Sequence, residues 1–299
     1  MPTKQTSLHG MDCFANTARN DTTREVTLKL GYNGATTMTS DLETDIRIAG
    51  DAGYDVLEIT ATKLDTFLRS RSLADALRLI DAAKLKTHAI NSIEKINFRD
   101  AAGRAEVLAR TRQLSEYGKA LACPWIIAVP GPAPEGTTWQ AIRADTATML
   151  RAMSETAEPY GVQIAFEFLG FPWCSVQTAA QAWEIVKTVN LPNVGMVIDT
   201  CHFYAGGSTL DSIKSIDAKK LAVFHVNDVE QMPKEKITDA NRLFPGDGVI
   251  PLQEIIGAVR AVGYNGVASV EIFRPEYWQR EPGTVATEAY GKSKRVLGI

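Results

Sequence analysis

Four side chains that can bind a metal ion stand at the ends of four consecutive predicted strands. They are Glu167 after Val162–Phe166, Asp199 after Val194–Ile198, His225 within Leu221–Val226 and Glu271 within Gly263–Ile272. In a parallel α/β barrel the carboxyl ends of all strands open onto one mouth, and the catalytic groups lie there. We therefore expect these four side chains to converge.

Three carboxylates that meet without a counter-charge repel one another and shift one another's pKa values. A divalent cation removes that cost, and three oxygens with one imidazole suit Mn²⁺, Zn²⁺, Co²⁺ or Mg²⁺ without choosing among them. A structural zinc site would favour thiolates, which are not placed here. The set predicts one divalent ion with positions left open to substrate.

Each of these residues also has a structural explanation when it is taken alone. A glutamate after a strand can cap a helix or form an ion pair, and Asp199 with Thr200 could cap a turn. A histidine in an apolar strand, such as His225, is commonly a core residue with its hydrogen bonds satisfied. Recurrence at the same point of four successive strands favours chemistry, because packing does not require it.

Six further residues are candidate substrate contacts, because they follow strands or lie on loops at the expected mouth. They are Glu58, Asn91, Trp173, His202, Arg242 and Arg274. The polar side chains could bind hydroxyl or carbonyl oxygens, and Trp173 could wall a pocket. Simpler roles stay open: the histidine and the arginines could brace loops, and Trp173 could pack on a lid.

Eight predicted strands, each followed by a predicted helix, position these side chains. The first four strands are Val26–Asn33, Tyr54–Ile59, Leu85–Ser92 and Trp125–Val129. Such alternation predicts a parallel sheet, and eight units in 299 residues predict a single closed (β/α)8 TIM barrel. We expect the barrel to occupy residues 27–299 as one catalytic domain, and the polar residues 1–26 to form a flexible extension.

Composition narrows the class of protein. The formal net charge of −3 argues against nucleic acid as the main partner. The four cysteines include no CxxC pair, which predicts reduced thiols in the cytoplasm rather than a zinc knuckle or a disulfide framework. No apolar run approaches the roughly 20 residues needed to cross a membrane, and residues 1–26 lack the apolar segment of a secretory signal. No strand leads into a G-x-G-x-x-G helix, so no nucleotide cofactor is expected.

Several long motifs resemble those of a known enzyme family. They are GYNGATT, AINS, IIAVP, AEPYGVQIAFEF, VIDTCHFYAGG, HVND, RLFPGDGVIPL and SVEIFRPEYW. Together they resemble the xylose-isomerase-like TIM-barrel family of sugar (phosphate) isomerases and epimerases, and most of all its inosose isomerase branch in inositol catabolism. The resemblance spans about residues 29–280 and is most specific in the second half of the chain.

The resemblance implies roles for individual residues. It implies that Glu167, Asp199, His225 and Glu271 bind the metal, and that the two glutamates serve as acid and base. It also implies that His202 and Arg242 contact the substrate. Two positions depart from the inosose isomerase pattern: Gly34 stands where an acidic residue is expected, and Thr60 stands where a basic residue is expected. A further acid of the ketohexose epimerases is missing at Phe171-Pro172-Trp173, so the exact substrate stays open.

The expected activity is metal-dependent isomerisation or epimerisation of a cyclitol ketone or keto-sugar through a cis-enediolate. Glu167 or Glu271 would take a proton from the carbon beside the ketone. The partner is then a small molecule, with neither nucleic acid nor membrane, and the sequence leaves open a homo-oligomer. Three alternatives remain: an inosose or 3-dehydroshikimate dehydratase of the same superfamily, a related AP endonuclease, which the acidic charge disfavours, and a barrel that only binds sugar or metal.

Overall fold

The computed structural model describes residues 28–299, together with Met1 and Pro2. The strands are β1 Lys29–Asn33, β2 Val56–Thr60, β3 Lys86–Ile93, β4 Trp125–Ala128, β5 Gln163–Glu167, β6 Val194–Asp199, β7 Leu221–Val226, β8 Asp228–Val229, β9 Arg242–Leu243 and β10 Val267–Val270. Eight of them form a closed parallel barrel in the order β1-β10-β7-β6-β5-β4-β3-β2. The predicted (β/α)8 barrel is therefore confirmed. The extension predicted at residues 1–26 lies, apart from Met1 and Pro2, outside the described residues, as do Val26 and Thr27 of the predicted first strand.

Helices surround the barrel on the outside and also stand at its mouth. They are α1 Leu42–Ala52, α2 Ala61–Phe67, α3 Leu73–Ala82, α4 Ala101–Ala120, α5 Trp139–Ala157, α6 Ala179–Val189, α7 Thr200–Ala205, α8 Leu210–Lys214, α9 Leu252–Ala261, α10 Pro275–Trp278 and α11 Pro282–Leu297. The short helices α2, α7 and α10 were not predicted. Among the described residues, no helix is both long enough and apolar enough to cross a membrane.

Local sequence explains why the elements start and stop where they do. All residues of β6 and β7 are buried, because helices cover one face of a parallel barrel and the packed interior covers the other. Helix α6 starts at a capping box between Thr178 and Gln181. It ends at Asn190, whose φ of 51° is the left-handed conformation that closes many helices.

Strand register brings the chemistry-bearing residues to one level of the barrel. Asp199 pairs with His225 across β6 and β7, and His225 pairs with Ser269 across β7 and β10. On the other side of the barrel, Asn33 pairs with Glu58. Paired residues of parallel strands project to the same face, so these side chains form one layer at the carboxyl ends of the strands.

Between β7 and α9 the chain leaves the barrel and returns, over residues that the sequence predicted as a loop. Here β8 and β9 form a two-stranded antiparallel ribbon in which Val229 pairs with Arg242. The Asp228 carboxylate ties both ends together, because it accepts backbone N–H groups of Gly246 at 3.1 Å and Ile250 at 2.9 Å. We call this segment, residues 227–250, the β7–α9 excursion.

Candidate metal centre

The four predicted ligands converge at the mouth of the barrel. One ligand atom each from Glu167, Asp199, His225 and Glu271 lies within 4.8 Å of the other three, and all four residues are buried. His225 Nδ1 faces the cluster, at 2.9 Å from Glu167 Oε1, 3.4 Å from Glu271 Oε2 and 4.0 Å from Asp199 Oδ2. The arrangement predicted from the four strand ends is therefore present in the fold.

The opposite nitrogen of His225 is held by Glu58. Both carboxylate oxygens of Glu58 lie 3.0 Å from His225 Nε2, and the Glu58 side chain is 1% exposed. A carboxylate there accepts the Nε2 proton and leaves the lone pair of Nδ1 directed at the cluster. Such a partner behind a histidine is what a metal-binding imidazole usually has.

Glu271 is fixed by amide groups from two other strands. Its Oε1 accepts hydrogen bonds from Asn33 Nδ2 at 3.0 Å and from Asn91 Nδ2 at 2.7 Å. Its Oε2 lies 3.1 Å from Arg242 Nη1 and is the oxygen turned toward His225. One oxygen of Glu271 is thus occupied by amides, and the other faces the shared centre.

Asp199 is anchored by three donors. Its Oδ1 caps helix α7 by accepting the backbone N–H of His202 at 2.8 Å. Its Oδ2 accepts from Asn227 Nδ2 and from Arg242 Nη1, both at 2.7 Å. The carboxylate therefore serves both as a helix cap and as one side of the cluster.

The charges of the centre are strongly coupled. Burial disfavours a charged imidazole, but the carboxylates of Glu271, Glu58 and Glu167 outweigh it and hold the pKa of His225 well above its ordinary value. Burial, with the nearby Glu167 carboxylate, raises the pKa of Glu271 to about 8 against the opposing charges of His225 and Arg242. Burial would raise the pKa of Asp199 as well, yet the Arg242 guanidinium and the histidines lower it to about 2.

This donor set fits a divalent cation. Carboxylate oxygens and one imidazole are ligands for zinc, manganese, cobalt and magnesium. The carboxylates that raise the pKa of His225 are negative charges that a cation would offset. A second group, Asp199 with Cys201 and His202, is equally compact. Burial holds the pKa of the Cys201 thiol well above its ordinary value, which disfavours a thiolate ligand there.

His202 and Arg242 form a pair beside the centre. Arg242 Nη2 lies 3.0 Å from His202 Nε2. Because a guanidinium can only donate, Nε2 must accept, and the proton of a neutral ring then sits on Nδ1. Burial, the largest influence, lowers the pKa of His202 and so favours the neutral ring. Among the described residues, Nδ1 is a buried atom without a hydrogen-bond partner.

A cavity of about 160 Å³ opens above the centre. Glu167, Glu271, Asn91, His202 and Arg242 contribute its polar side. Its apolar side consists of Val129, Pro130, Leu169, Trp173 and Phe273. A polar floor and an apolar wall suit a small polyhydroxylated ring, which has hydroxyl groups at its edge and C–H bonds on its faces.

A larger cavity, of about 580 Å³, lies on the outside of the barrel between residues 38–43 and 62–71. Neither compact group of potential metal ligands found in the described part of the chain lies there. Size alone therefore does not identify the functional site.

The remaining predicted contacts are placed differently from one another. Asn91 and Trp173 line the cavity, and Trp173 is 51% exposed at its rim. Glu58 lies behind His225 and does not line the cavity, so its position favours orienting a ligand over touching substrate. Arg274 pairs with Glu230 at 2.8 Å and reaches the Arg242 carbonyl at 3.4 Å, which braces the β7–α9 excursion.

Two residues of the site were not among the sequence candidates. Asn33 is the last residue of β1, and Asn227 lies two residues after His225 in the motif HVND. Both bond carboxylates of the centre through Nδ2. The rule that strand ends carry function could have identified them, since both occupy the same level as the ligands.

Comparisons with known proteins agree with this geometry. Residues 46–294 match the Xylose isomerase-like TIM barrel family. The inosose isomerase of Bacillus velezensis is 39% identical over 254 residues, which are 84% of this chain and 91% of that enzyme. A crystal structure of the IOLI protein with a bound zinc atom has a TM-score of 0.88 and 37% identity, covering 91% of this chain and 98% of that one. A 3-dehydroshikimate dehydratase of Pseudomonas aeruginosa is 27% identical over 59% of this chain, but over only 28% of its own length.

Proposed function

Because this chain belongs to the xylose isomerase-like TIM barrel family, we propose that it is a divalent-metal-dependent isomerase of a cyclic hydroxyketone of the inosose class. That it is an isomerase follows from its match to inosose isomerases over most of both chains. The observation that carries the finer proposal is the convergence of Glu167, Asp199, His225 and Glu271 beneath a small cavity.

Glu167, Asp199, His225 and Glu271 would hold the ion. When bound, a divalent ion polarises a carbonyl and offsets the negative charge that develops on its oxygen. The zinc in the IOLI crystal structure supports this assignment, and the donor set admits manganese, cobalt and magnesium as well.

The substrate is oriented by His202, Arg242 and the apolar wall. Arg242 fixes His202 in the tautomer with its proton on Nδ1, and both residues line the cavity in which the substrate would bind. Trp173 covers one C–H face of the ring from the rim. These contacts present the carbon beside the ketone to the carboxylates of the centre.

The reaction itself is a proton transfer between neighbouring carbons. A carboxylate, of Glu167 or of Glu271, removes the proton from the hydroxyl-bearing carbon. The electrons of that C–H bond form the C=C bond of a cis-enediolate, and the carbonyl π electrons move to oxygen. The former carbonyl carbon then receives a proton from the carboxylic acid, the hydroxyl proton passes to the oxygen of the former carbonyl, and the ketone has moved by one carbon. Such acid–base steps typically contribute about 10²–10⁴-fold to the rate.

The test is an isotope experiment. Chelator-treated protein is reloaded with Zn²⁺, Mn²⁺, Co²⁺ or Mg²⁺ and incubated with scyllo-inosose, other inososes and common ketoses in deuterated water. We expect deuterium at the carbon beside the ketone of an inosose, and a new isomer, by ¹H NMR. Absence of exchange with every metal and every ketone would refute the function, and tight binding without turnover would leave a sugar-binding barrel.

One alternative outcome has support of its own. The similarity to a 3-dehydroshikimate dehydratase indicates that related barrels expel a hydroxyl group. In that case the enolate would lose the β-hydroxyl as water and form a conjugated enone. Ultraviolet absorbance of the product separates the two outcomes, since an isomerised inosose has no conjugated chromophore.

A further inference from the structure

The two glutamates of the centre have different hydrogen-bond environments. Each has one oxygen turned to the shared centre, Glu167 Oε1 and Glu271 Oε2. The other oxygen of each is the one that could take a proton from substrate carbon. The groups around these two free positions therefore decide which glutamate can act as a base.

The second oxygen of Glu271 is fully occupied. A carboxylate offers about four lone-pair sites, two on each oxygen, and Oε1 already accepts from both Asn33 and Asn91. An incoming C–H proton would have to displace one of these two amide donors and so break an existing hydrogen bond to the carboxylate.

Both amides are fixed in orientation, so they cannot turn an oxygen toward Glu271 instead. Asn33 Oδ1 accepts the backbone N–H of Ala35 at 2.9 Å, which leaves Nδ2 for Glu271. Asn91 Nδ2 lies between two carboxylates, at 3.0 Å from Glu58 Oε1 and 2.7 Å from Glu271 Oε1. Only a donor fits between them.

The second oxygen of Glu167 is free. Within residues 28–299, no group forms a hydrogen bond to Glu167 Oε2, and the residue lines the cavity. Fully buried atoms without partners include Thr60 Oγ1 and His202 Nδ1 but not Glu167 Oε2, so this oxygen keeps access to the cavity. It can accept a proton from substrate without breaking any existing bond.

We propose that Glu167 alone carries the proton between the two substrate carbons, and that Asn33 and Asn91 withhold Glu271 from proton transfer. This rests on the proposed isomerase function and deepens it. Glu167 Oε2 takes the proton as the C–H electrons form the enediolate double bond. It returns a proton to the neighbouring carbon as the double-bond electrons form the new C–H bond, and Glu167 is a carboxylate again. Glu271 remains a ligand throughout.

One base implies chemistry on one face of the substrate ring. Glu167 ends strand β5 and Glu271 directly follows strand β10, and β6 and β7 lie between these two strands in the barrel. A ring seated between them presents opposite sides to the two carboxylates. Removal and return by Glu167 moves the ketone but cannot invert the carbon from which the proton was taken. A second base at Glu271 would produce that inversion.

The experiment uses metal-loaded protein and scyllo-inosose in deuterated water, with products identified by ¹H NMR. We expect the isomer with the shifted ketone. Any deuterium taken up by the starting ketone should leave the configuration of that carbon unchanged, so the epimer of the starting ketone should not form. Accumulation of a deuterated epimer would overturn the proposal while leaving the isomerase function intact. A complete absence of both exchange and isomer formation would instead refute the proposed function itself.

Variants of the two glutamates identify which of them is the base. Per bound metal, Glu167→Gln is expected to lower exchange about 10²–10⁴-fold, and Glu271→Gln to lower it less. Equal loss in both, or greater loss in Glu271→Gln, would contradict the assignment. Glu155→Gln, an exposed glutamate of helix α5, is the matched control.

The role of the amides has its own test, which does not depend on loss of activity. The double variant Asn33→Ala, Asn91→Ala leaves Glu271 Oε1 without donors, and we expect the epimer to appear beside the isomer. A purely structural role of the two asparagines would change the rate but not the ratio of epimer to isomer. If isomerisation persists without any epimer, the amides are not what restrains Glu271.

Discussion

Replacing Glu58 by glutamine should weaken metal binding without changing any ligand. Both oxygens of Glu58 contact His225 Nε2 at 3.0 Å, so a glutamine necessarily places its NH₂ group near the same nitrogen. Asn91 Nδ2 donates to Glu58 Oε1 and keeps the glutamine oxygen at that position. The NH₂ group then faces Nε2 and favours the tautomer with its proton on Nδ1, which is the nitrogen needed by the metal.

The magnitude follows from the type of bond that is lost. A hydrogen bond to a charged group contributes about 1.5–3 kcal/mol, against about 0.5–1.5 for a neutral one. The loss of charge and the wrong tautomer together predict a Kd that rises about 10–100-fold, the range found when groups behind metal ligands are changed. Because the pair between Glu58 and His225 is buried, with side-chain exposures of 1% and 0%, water cannot replace the missing acceptor.

The assay is competition between apo-protein and a chelator for Zn²⁺, together with the visible spectrum of the Co²⁺-loaded protein. Glu155→Gln, an exposed glutamate of helix α5, should stay within about twofold of the wild type, as surface changes usually do. A folded Glu58→Gln protein that binds Zn²⁺ as tightly as this control would refute the orienting role of Glu58.

Three further predictions concern stability and substrate binding. Burial raises the pKa of Asp45 to about 6 even with the Lys63 ammonium beside it, so without that ammonium the pKa rises further. Lys63→Met should therefore lower the free energy of unfolding by about 3–5 kcal/mol at pH 8. The loss should be smaller at pH 5, where Asp45 is protonated. Equal losses at both pH values, measured by urea titration, would contradict this. Gly206→Ala should cost about 1–3 kcal/mol, because its Cβ would lie 2.0 Å from a backbone carbonyl, whereas Gly257→Ala, with no atom within 4 Å, should not destabilise. His202→Ala should raise KM for the ketone by about tenfold with unchanged metal content, because Arg242 loses the acceptor that holds it at the cavity. An unchanged KM would remove His202 from the substrate site.

The convergence of the four proposed metal ligands was predictable because the topology of a parallel barrel converts sequence order into location. Where strands and helices alternate, every strand ends at the same mouth of the barrel. Sequence order alone therefore groups Glu167, Asp199, His225 and Glu271. Their contacts could not be derived in the same way. Glu58 was predicted to contact substrate at the mouth, and only the direction of its side chain shows that it lies behind His225.

Short elements at the mouth were harder to predict for a related reason. The segment that follows β6 has too few residues to show helical periodicity, and α7 forms because Asp199 caps it through the N–H of His202. The residues around Asn33 in the sequence do not reveal its role, because its hydrogen-bond partner Glu271 is 238 residues away. Pairing across the barrel, rather than local propensity, decides the roles of such residues.

The β7–α9 excursion has anchored ends and an exposed tip, which is an arrangement that protein engineering can use. Its two ends are tied by Asp228, and the β8–β9 pairing fixes Arg242 over the centre. The tip between them, around residues 233–236, is exposed. Exposed tips with anchored ends are where proteins accept inserted peptides. An affinity tag or a small reporter grafted at this tip would be displayed at the rim of the barrel while the guanidinium beneath it keeps its place.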